Sequence, residues 1–82
     1  MKREDVIKKV IEMLTKYKKS DLVAEQITEK TTLLKDLNMN SARLVDVILD
    51  FEDAFSIQIK DEEADSVNTV GDCVELILRK AA

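Results

Sequence analysis

The chain has 82 residues and a formal charge of −4, with 45% hydrophobic residues, one glycine, no proline and no histidine. This length and composition predict one domain over residues 1–82, with a small aliphatic core built from helices rather than hairpins. The negative charge excludes nucleic acid and anionic membranes as expected partners, and the lack of histidine removes the commonest general base and metal ligand, so we expect neither a catalytic nor a metal site.

Signals for membranes or export are not found in the sequence. No apolar run approaches the ~20 residues that a membrane span needs, and no signal-peptide pattern precedes the first predicted helix. Cys73 is the only cysteine, which excludes an internal disulfide and makes the cytoplasm the default location. We expect a monomer without a membrane span.

The first predicted helix covers residues 4–17. Glu4 and Asp5 suit its positive start, and lysines follow at its negative end. We interpret these lysines as a solvated face rather than a nucleic-acid contact, because the total charge is negative. The apolar face combines residues at helical spacing: Val6, Ile7, Val10, Met13, Leu14 and Tyr17.

Residues 18–40 are predicted to form a long connection. A short turn is expected at residues 21–23, with Ser20 or Asp21 as its cap. Four spaced apolar residues are expected to hold the connection against the core: Ile27, Leu33, Leu34 and Leu37. Loops of this length without their own structure are uncommon and often functional.

The second predicted helix covers residues 41–55 and has the strongest amphipathic pattern, with Asn40 as its N-cap. Ser41 stands at its start, where unpaired N–H groups and the helix dipole favour bound phosphate. The predicted core face consists of Leu44, Val47, Ile48, Phe51 and Phe55.

A second apolar strip of the same helix falls outside the core face, beside the carboxylates of Asp46 and Asp53 and with Glu52 on the far side of Val45. Single surface aliphatics are ordinary, but this strip directly follows Ser41, so we interpret it as a docking strip. Its members are Ala42, Val45 and Leu49.

The remaining third of the chain is predicted to complete the bundle. Ile57 and Ile59 are expected to fill the core, and residues 61–66 to form one helical turn, which lacks the spacing and glycine of a calcium loop. A last helix of about residues 70–80 follows Thr69 as its cap, with Val70, Cys73, Val74, Ile77 and Leu78 on its apolar face.

Cys73 is interpreted as a small buried hydrophobe, because no histidine or nearby cation would activate its thiol. The fold class predicted from these elements is all-α: a bundle of three main helices and one short helix, with a long first loop.

The segment Leu37-Asn38-Met39-Asn40-Ser41-Ala42 resembles the attachment motif of the acyl carrier protein family, which attaches 4′-phosphopantetheine to the serine of an Asp-Ser-Leu sequence. The resemblance covers nearly the whole chain and needs no gap from Ile27 onward. It implies an acyl-carrier-like bundle with 4′-phosphopantetheine, derived from coenzyme A, on Ser41. The chain would then be a carrier and not an enzyme, holding acyl groups as thioesters for lipid or polyketide-type biosynthetic enzymes.

Five positions depart from the family pattern. Asn38 replaces the usual glycine, Asn40 an aspartate, Ala42 a leucine, Arg43 an often acidic residue and Lys60 a common proline. These departures predict a specialised carrier that serves a narrow pathway.

The resemblance also implies partners: a phosphopantetheinyl transferase and acyl-transferring or acyl-modifying enzymes with basic docking surfaces. The residues expected to contact them surround Ser41 and the docking strip: Asn40, Ala42, Arg43, Val45, Asp46, Leu49, Glu52 and Asp53.

Two alternatives remain open. The chain can be a carrier of amino acids rather than fatty acids, since aminoacyl carriers share the motif and fold. It can also be an unmodified adaptor or regulatory subunit that docks through the second helix, as the altered residues at 38, 40 and 42 indicate.

Overall fold

The computed structural model describes residues 2–17 and 23–81 of the chain. Within these residues the chain forms four α-helices: α1 (Arg3–Leu14), α2 (Ser41–Phe55), α3 (Asp61–Asp65) and α4 (Val70–Ala81). A 3-10 turn, Ala24–Gln26, interrupts the first connection. Helices α1, α2 and α4 pack against one another. The predicted all-α bundle with one short helix is therefore confirmed.

The helix boundaries agree closely with the periodic pattern. Helix α2 covers the predicted residues, and α4 extends one residue further than predicted. Helix α1 ends at Leu14, three residues early, because the Thr15 hydroxyl donates to the Glu12 carbonyl at 2.7 Å and competes with the backbone ladder. The next residues continue as tighter turns. The turn predicted at residues 21–23, with its cap at Ser20 or Asp21, lies outside the described residues except for Val23.

The core lies between the three long helices and the first connection. The predicted anchors Ile27, Leu33 and Leu37 are buried, as is Cys73. The half-buried residues that pack against the core include several predicted members of the apolar faces: Ile7, Tyr17, Leu44, Phe55, Ile57 and Leu78. The fully buried side chains come from every long helix: Val6, Val10, Leu14, Val47, Phe51, Val70, Val74 and Ile77.

The prediction for Leu34 is wrong: its side chain is 48% exposed. Residues 33–36 form a turn in which Leu33 and Leu37, four residues apart, point into the core, so Leu34 points outward. Met39 and Leu76 are buried although the pattern did not include them among the core residues. Leu76 follows the buried Cys73 by three residues on α4, so its burial agrees with helical spacing.

Backbone hydrogen bonds fasten the first connection to the start of α4. The Leu33 N–H donates to the Asn68 carbonyl at 2.9 Å, and the Gly71 N–H donates to the Glu29 carbonyl at 2.8 Å. A Cβ atom at position 71 would lie 3.0 Å from that carbonyl oxygen, which is closer than most Cβ contacts in proteins, so the close approach favours glycine. Arg3 adds ion pairs to Glu29 and Glu75. The connection is therefore held in a fixed position, and so are residues 37–40, which lead into α2.

Helix α3 is short and contributes no buried residue. Its Glu63 carboxylate accepts the Lys60 N–H at 3.0 Å and pairs with the Lys80 ammonium of α4 at 2.8 Å. These contacts hold α3 against the last helix.

Among the helices of residues 2–17 and 23–81, none is both long enough and apolar enough to span a bilayer.

Candidate functional site

Ser41 is exposed and is the first residue of α2. The residue before it, Asn40, has an extended backbone, and its side-chain oxygen accepts the Arg43 N–H at 2.8 Å. Its carbonyl accepts the Leu44 N–H at 3.0 Å. Asn40 is therefore the N-cap of α2, as predicted, and it fixes the direction in which the helix leaves the loop.

The chain reaches Ser41 through Asn38, which has an uncommon backbone conformation. Asn38 has a φ of 55°, in the left-handed region that few residues other than glycine adopt. Asparagine tolerates this region better than most residues, so it can replace glycine here. Leu37 and Met39 are buried on either side, whereas Asn40 and Ser41 are exposed. The core thus holds the segment before α2 at two points and leaves Ser41 exposed.

The start of α2 has the electrostatics of an anion site. Among the described residues, no protein acceptor takes the backbone N–H groups of Ser41 and Ala42. The first turn contains no acidic residue, in contrast to α1, α3 and α4. Free N–H groups and a helix dipole favour a phosphate at this end. The residues present therefore fit a phosphodiester on the Ser41 oxygen.

The predicted docking strip lies outside the core. The side chains of Val45 and Leu49 are 57% and 54% exposed, and Ala42 is exposed as well. Asp46 and Asp53 are exposed beside them. The surface after Ser41 therefore combines apolar side chains with exposed carboxylates, of which Asp46 pairs with Arg43 at 3.5 Å.

Glu52 is placed differently from the two aspartates. It is half-buried, and its Oε2 atom accepts the Ile59 N–H at 2.9 Å. This contact holds the segment after α2 against the helix. Glu52 thus has a structural contact that the sequence pattern did not indicate.

A cleft of about 210 Å³ opens beside Ser41, between α2, the first connection and α3. Asp65 and Asn68 stand at its polar side. The sequence pattern missed this cleft, because its walls meet only through tertiary packing. The one available signal was Leu34. It is a large apolar residue next to Leu33, but it does not share the four-residue spacing that places Leu33 and Leu37 on the same side. The apolar walls are formed by Leu34, Leu44, Val45, Ile48, Ala64 and Val67.

Cys73 is unsuited to covalent chemistry. Burial raises the pKa of the Cys73 thiol to about 12, with the neighbouring Asp72 carboxylate adding to the shift. The thiol therefore stays protonated at neutral pH, where only the thiolate is nucleophilic. A thiol that holds acyl groups has to come from outside the chain.

Comparison with known proteins gives one consistent family. Residues 7–77 match the family model described as phosphopantetheine attachment site. The chain is 35% identical to the acyl carrier protein of Thermotoga maritima over 78 residues, covering 95% of this chain and 94% of that protein. It is 36% identical to the acyl carrier protein of Lactobacillus acidophilus over 77 residues, covering 94% of each.

Solved structures agree with the sequence relatives. The acyl carrier protein from Enterococcus faecalis superposes with a TM-score of 0.82 at 34% identity, covering 98% of this chain and 99% of that one. Such proteins are carriers rather than enzymes, and they hold 4′-phosphopantetheine covalently. The chain belongs to the acyl carrier protein family.

Proposed function

We propose that residues 1–82 form a single carrier domain, which holds acyl intermediates as thioesters on 4′-phosphopantetheine attached to Ser41. The observation that supports Ser41 most directly is its exposed hydroxyl at a helix start with free N–H groups and no acid in the first turn. The arm, when bound, supplies the terminal thiol that the buried Cys73 cannot provide.

Ser41 would act as the acceptor in the loading reaction. Its oxygen attacks the pyrophosphate phosphorus that carries the pantetheine of coenzyme A. A bond forms between that oxygen and phosphorus, and the phosphorus–oxygen bond to the nucleotide phosphate breaks. The hydroxyl proton has to leave to a base of the transferase, since the chain has no histidine.

The cleft beside Ser41 supports an aliphatic cargo. Its walls are mostly apolar, and its volume of about 210 Å³ exceeds the ~150 Å³ of an engineered apolar cavity that binds benzene. We propose that the cleft shields part of an acyl chain from water between enzymes. This lining favours lipid or polyketide-type intermediates over aminoacyl cargo.

Partner enzymes would dock on α2. Val45 and Leu49 provide exposed apolar contacts, and Asp46 and Asp53 provide carboxylates for basic side chains. Such charges speed encounter and set orientation more than they raise affinity, which suits a shuttle that has to dissociate. Asn40, Ala42 and Arg43 flank Ser41 and would contact the transferase, with Glu52 at the edge of the same surface. We propose a monomer that works in the cytoplasm.

The attachment site is tested by intact mass after incubation with coenzyme A and a broad-specificity phosphopantetheinyl transferase. The unaltered protein should gain the mass of one phosphopantetheine, and Ser41→Ala should gain none. Ser56→Ala removes another exposed serine at the far end of α2 and should load normally. No gain in the unaltered protein, or a gain that survives Ser41→Ala, would contradict the proposal.

The unmodified adaptor remains the second candidate, because residues 38, 40 and 42 depart from the usual motif. A cell in which Ser41→Ala replaces the natural chain separates the two functions. Full activity of that cell would favour the adaptor, and loss of activity would favour the carrier.

A further inference from the structure

The cleft beside Ser41 has an exposed mouth and a buried floor. Ser41 itself lines the cleft, together with Leu34 and Val45, whose side chains are about half exposed. The side chains of Ile48 and Val67 line it as well, but each is only 6% exposed and belongs to the core. The cleft therefore leads from the proposed attachment point at the surface to a floor made by two core residues.

The α2 side of the cleft is one continuous stripe of the helix. Its residues are 41, 44, 45 and 48, a spacing of three and four residues that places side chains on the same face. From Ser41 to Ile48 the helix advances by about 10 Å along its axis. The opposite wall comes from α3 and the segment that follows it, with Ala64 and Val67 as its apolar members. An aliphatic chain that enters beside Ser41 can thus extend along α2 until it meets the floor.

The size of the cleft limits what can enter it. An engineered apolar cavity of about 150 Å³ binds benzene, a molecule of six carbons. At the same filling, the volume of about 210 Å³ accommodates about eight carbon atoms. An extended aliphatic chain of this size is close in length to the stripe on α2, so the volume and the length of the cleft give the same limit.

The floor is held in place by its neighbours. The carbonyl of Asn68, the residue after Val67, accepts the Leu33 N–H at 2.9 Å, and the Asn68 N–H donates to Oδ2 of Asp72 at 3.0 Å. Ile48 lies on the buried face of α2. Further carbons could enter only by displacing core side chains, and close-packed cores resist added volume.

We propose that the cleft restricts the cargo on Ser41 to medium-length aliphatic acyl groups of about eight carbons, with Ile48 and Val67 as the residues that determine this limit. A shorter group leaves the floor unfilled, and a longer group leaves its outer carbons in water. This inference rests on the proposed function of Ser41 and specifies the cargo of the same site.

A series of loaded proteins tests the length limit. A broad-specificity phosphopantetheinyl transferase attaches the acylated arm from acyl-coenzyme A carrying four, eight, twelve or sixteen carbons, and intact mass verifies each product. Tm should rise by about 5–10 °C from four to eight carbons, because buried methylene groups stabilise the folded state. From eight to sixteen carbons it should rise no further. A Tm that rises steadily to sixteen carbons, or that is the same for all four groups, would overturn the limit.

Two substitutions should move the limit in opposite directions. Ala64→Leu fills the cleft from α3, so eight carbons should give no higher Tm than four. Ile48→Ala deepens the floor, so Tm should go on rising from eight to twelve carbons. The matched controls are residues that do not line the cleft: Ala54→Leu, at an exposed position of α2, and Ile77→Ala, on the buried face of α4. Each control should keep the limit of the unaltered protein, and variants that behave like their controls would overturn the role of these walls.

NMR of the unaltered protein gives a measurement that does not depend on the stability of any variant. The terminal methyl group of the acyl chain is isotope-labelled. In the eight-carbon product, this methyl should show nuclear Overhauser contacts to the methyl groups of Ile48 and Val67. In the sixteen-carbon product, the same contacts should be missing, because the end of the chain lies outside the cleft.

The outcomes separate this inference from the proposed function. Protein that gains the acylated arm but shows neither the length limit nor contacts between the terminal methyl and the floor would overturn the limit and leave Ser41 as the attachment site. Failure of the unaltered protein to gain any mass would overturn both.

Discussion

At the scale of single residues, the segment that leads into α2 combines a left-handed backbone residue with a helix cap. Asn38 adopts a φ of 55° where glycine is usual, and Asn40 caps α2 where aspartate is usual. The cap was predictable from residue type, because it is a local interaction between a side chain and the third helical N–H. The left-handed backbone of Asn38 was not predictable, since asparagine occupies many other conformations.

Asn40→Ala tests the cap. The substitution leaves the Arg43 N–H without its acceptor, so we expect the free energy of unfolding to fall by about 1 kcal/mol. Asn40→Asp keeps an acceptor oxygen and should match or exceed the stability of the unaltered protein. Urea denaturation measures both variants, and equal stability of Asn40→Ala and Asn40→Asp would show that the cap contributes nothing.

Ser56→Gly tests the other end of the same helix. Ser56 ends α2 with a φ of 54°, a conformation that costs a residue with a Cβ roughly 1–2 kcal/mol. Glycine should relieve this cost and raise the free energy of unfolding by about 1 kcal/mol. Ser66 ends α3 with a φ of −85°, so Ser66→Gly is the matched control and should give no gain. A Ser56→Gly variant no more stable than the parent would contradict the account.

At the scale of elements, α2 has two separate apolar surfaces. Val47, Ile48 and Phe51 are buried, whereas Val45 and Leu49 are more than half exposed. Helical periodicity predicted both surfaces correctly. With successive residues 100° apart, the main apolar stripe defines the side that faces the core, and apolar residues away from that stripe are left on the surface. It could not predict the cleft, which also needs residues from the first connection and α3.

Charged substitutions on the exposed surface separate docking from folding. Val45→Asp and Leu49→Asp should slow acyl transfer to a partner enzyme and change Tm by little, since neither side chain is in the core. Phe51→Ala is the contrasting variant and should lower the free energy of unfolding by about 3–5 kcal/mol. A large fall in Tm for Val45→Asp or Leu49→Asp would place those residues in the core and exclude a docking surface.

The contact between α3 and α4 should depend on pH. Lys80, with help from the Lys60 N–H, lowers the pKa of the Glu63 carboxyl below its ordinary value of 4.5. A lowered carboxyl pKa contributes stability that is present above the ordinary pKa and is lost as pH falls through the folded-state value. Glu63→Gln should therefore destabilise the protein at pH 7 and much less at about pH 3.

The matched control for this pH dependence is Glu62→Gln, the exposed neighbour in the same turn. It should have little effect at either pH when measured by urea denaturation. A Glu63→Gln effect that is the same at both pH values would show that the ion pair with Lys80 does not stabilise α3.

At the scale of the whole molecule, the accuracy of the sequence-based predictions for the site depends on the long first connection. Apolar spacing identified Ile27, Leu33 and Leu37 as anchors but misplaced Leu34, because a turn at residues 33–36 directs Leu33 and Leu37 into the core and leaves Leu34 outside. The hydrogen bonds from this connection to Asn68 and to the start of α4 join residues more than 30 positions apart. No local pattern encodes such contacts, so the burial of Met39 and the cleft beside Ser41 appear only in the folded chain.

The central claim is that the exposed Ser41 bears a prosthetic arm in the cell. The most direct measurement is the intact mass of the protein from the cell that makes it, isolated under conditions that preserve thioesters and followed by fragmentation to locate any added group. We expect one phosphopantetheine on Ser41, with an acyl group on part of the population. A chain that is only ever found unmodified, or that is modified elsewhere, would contradict it.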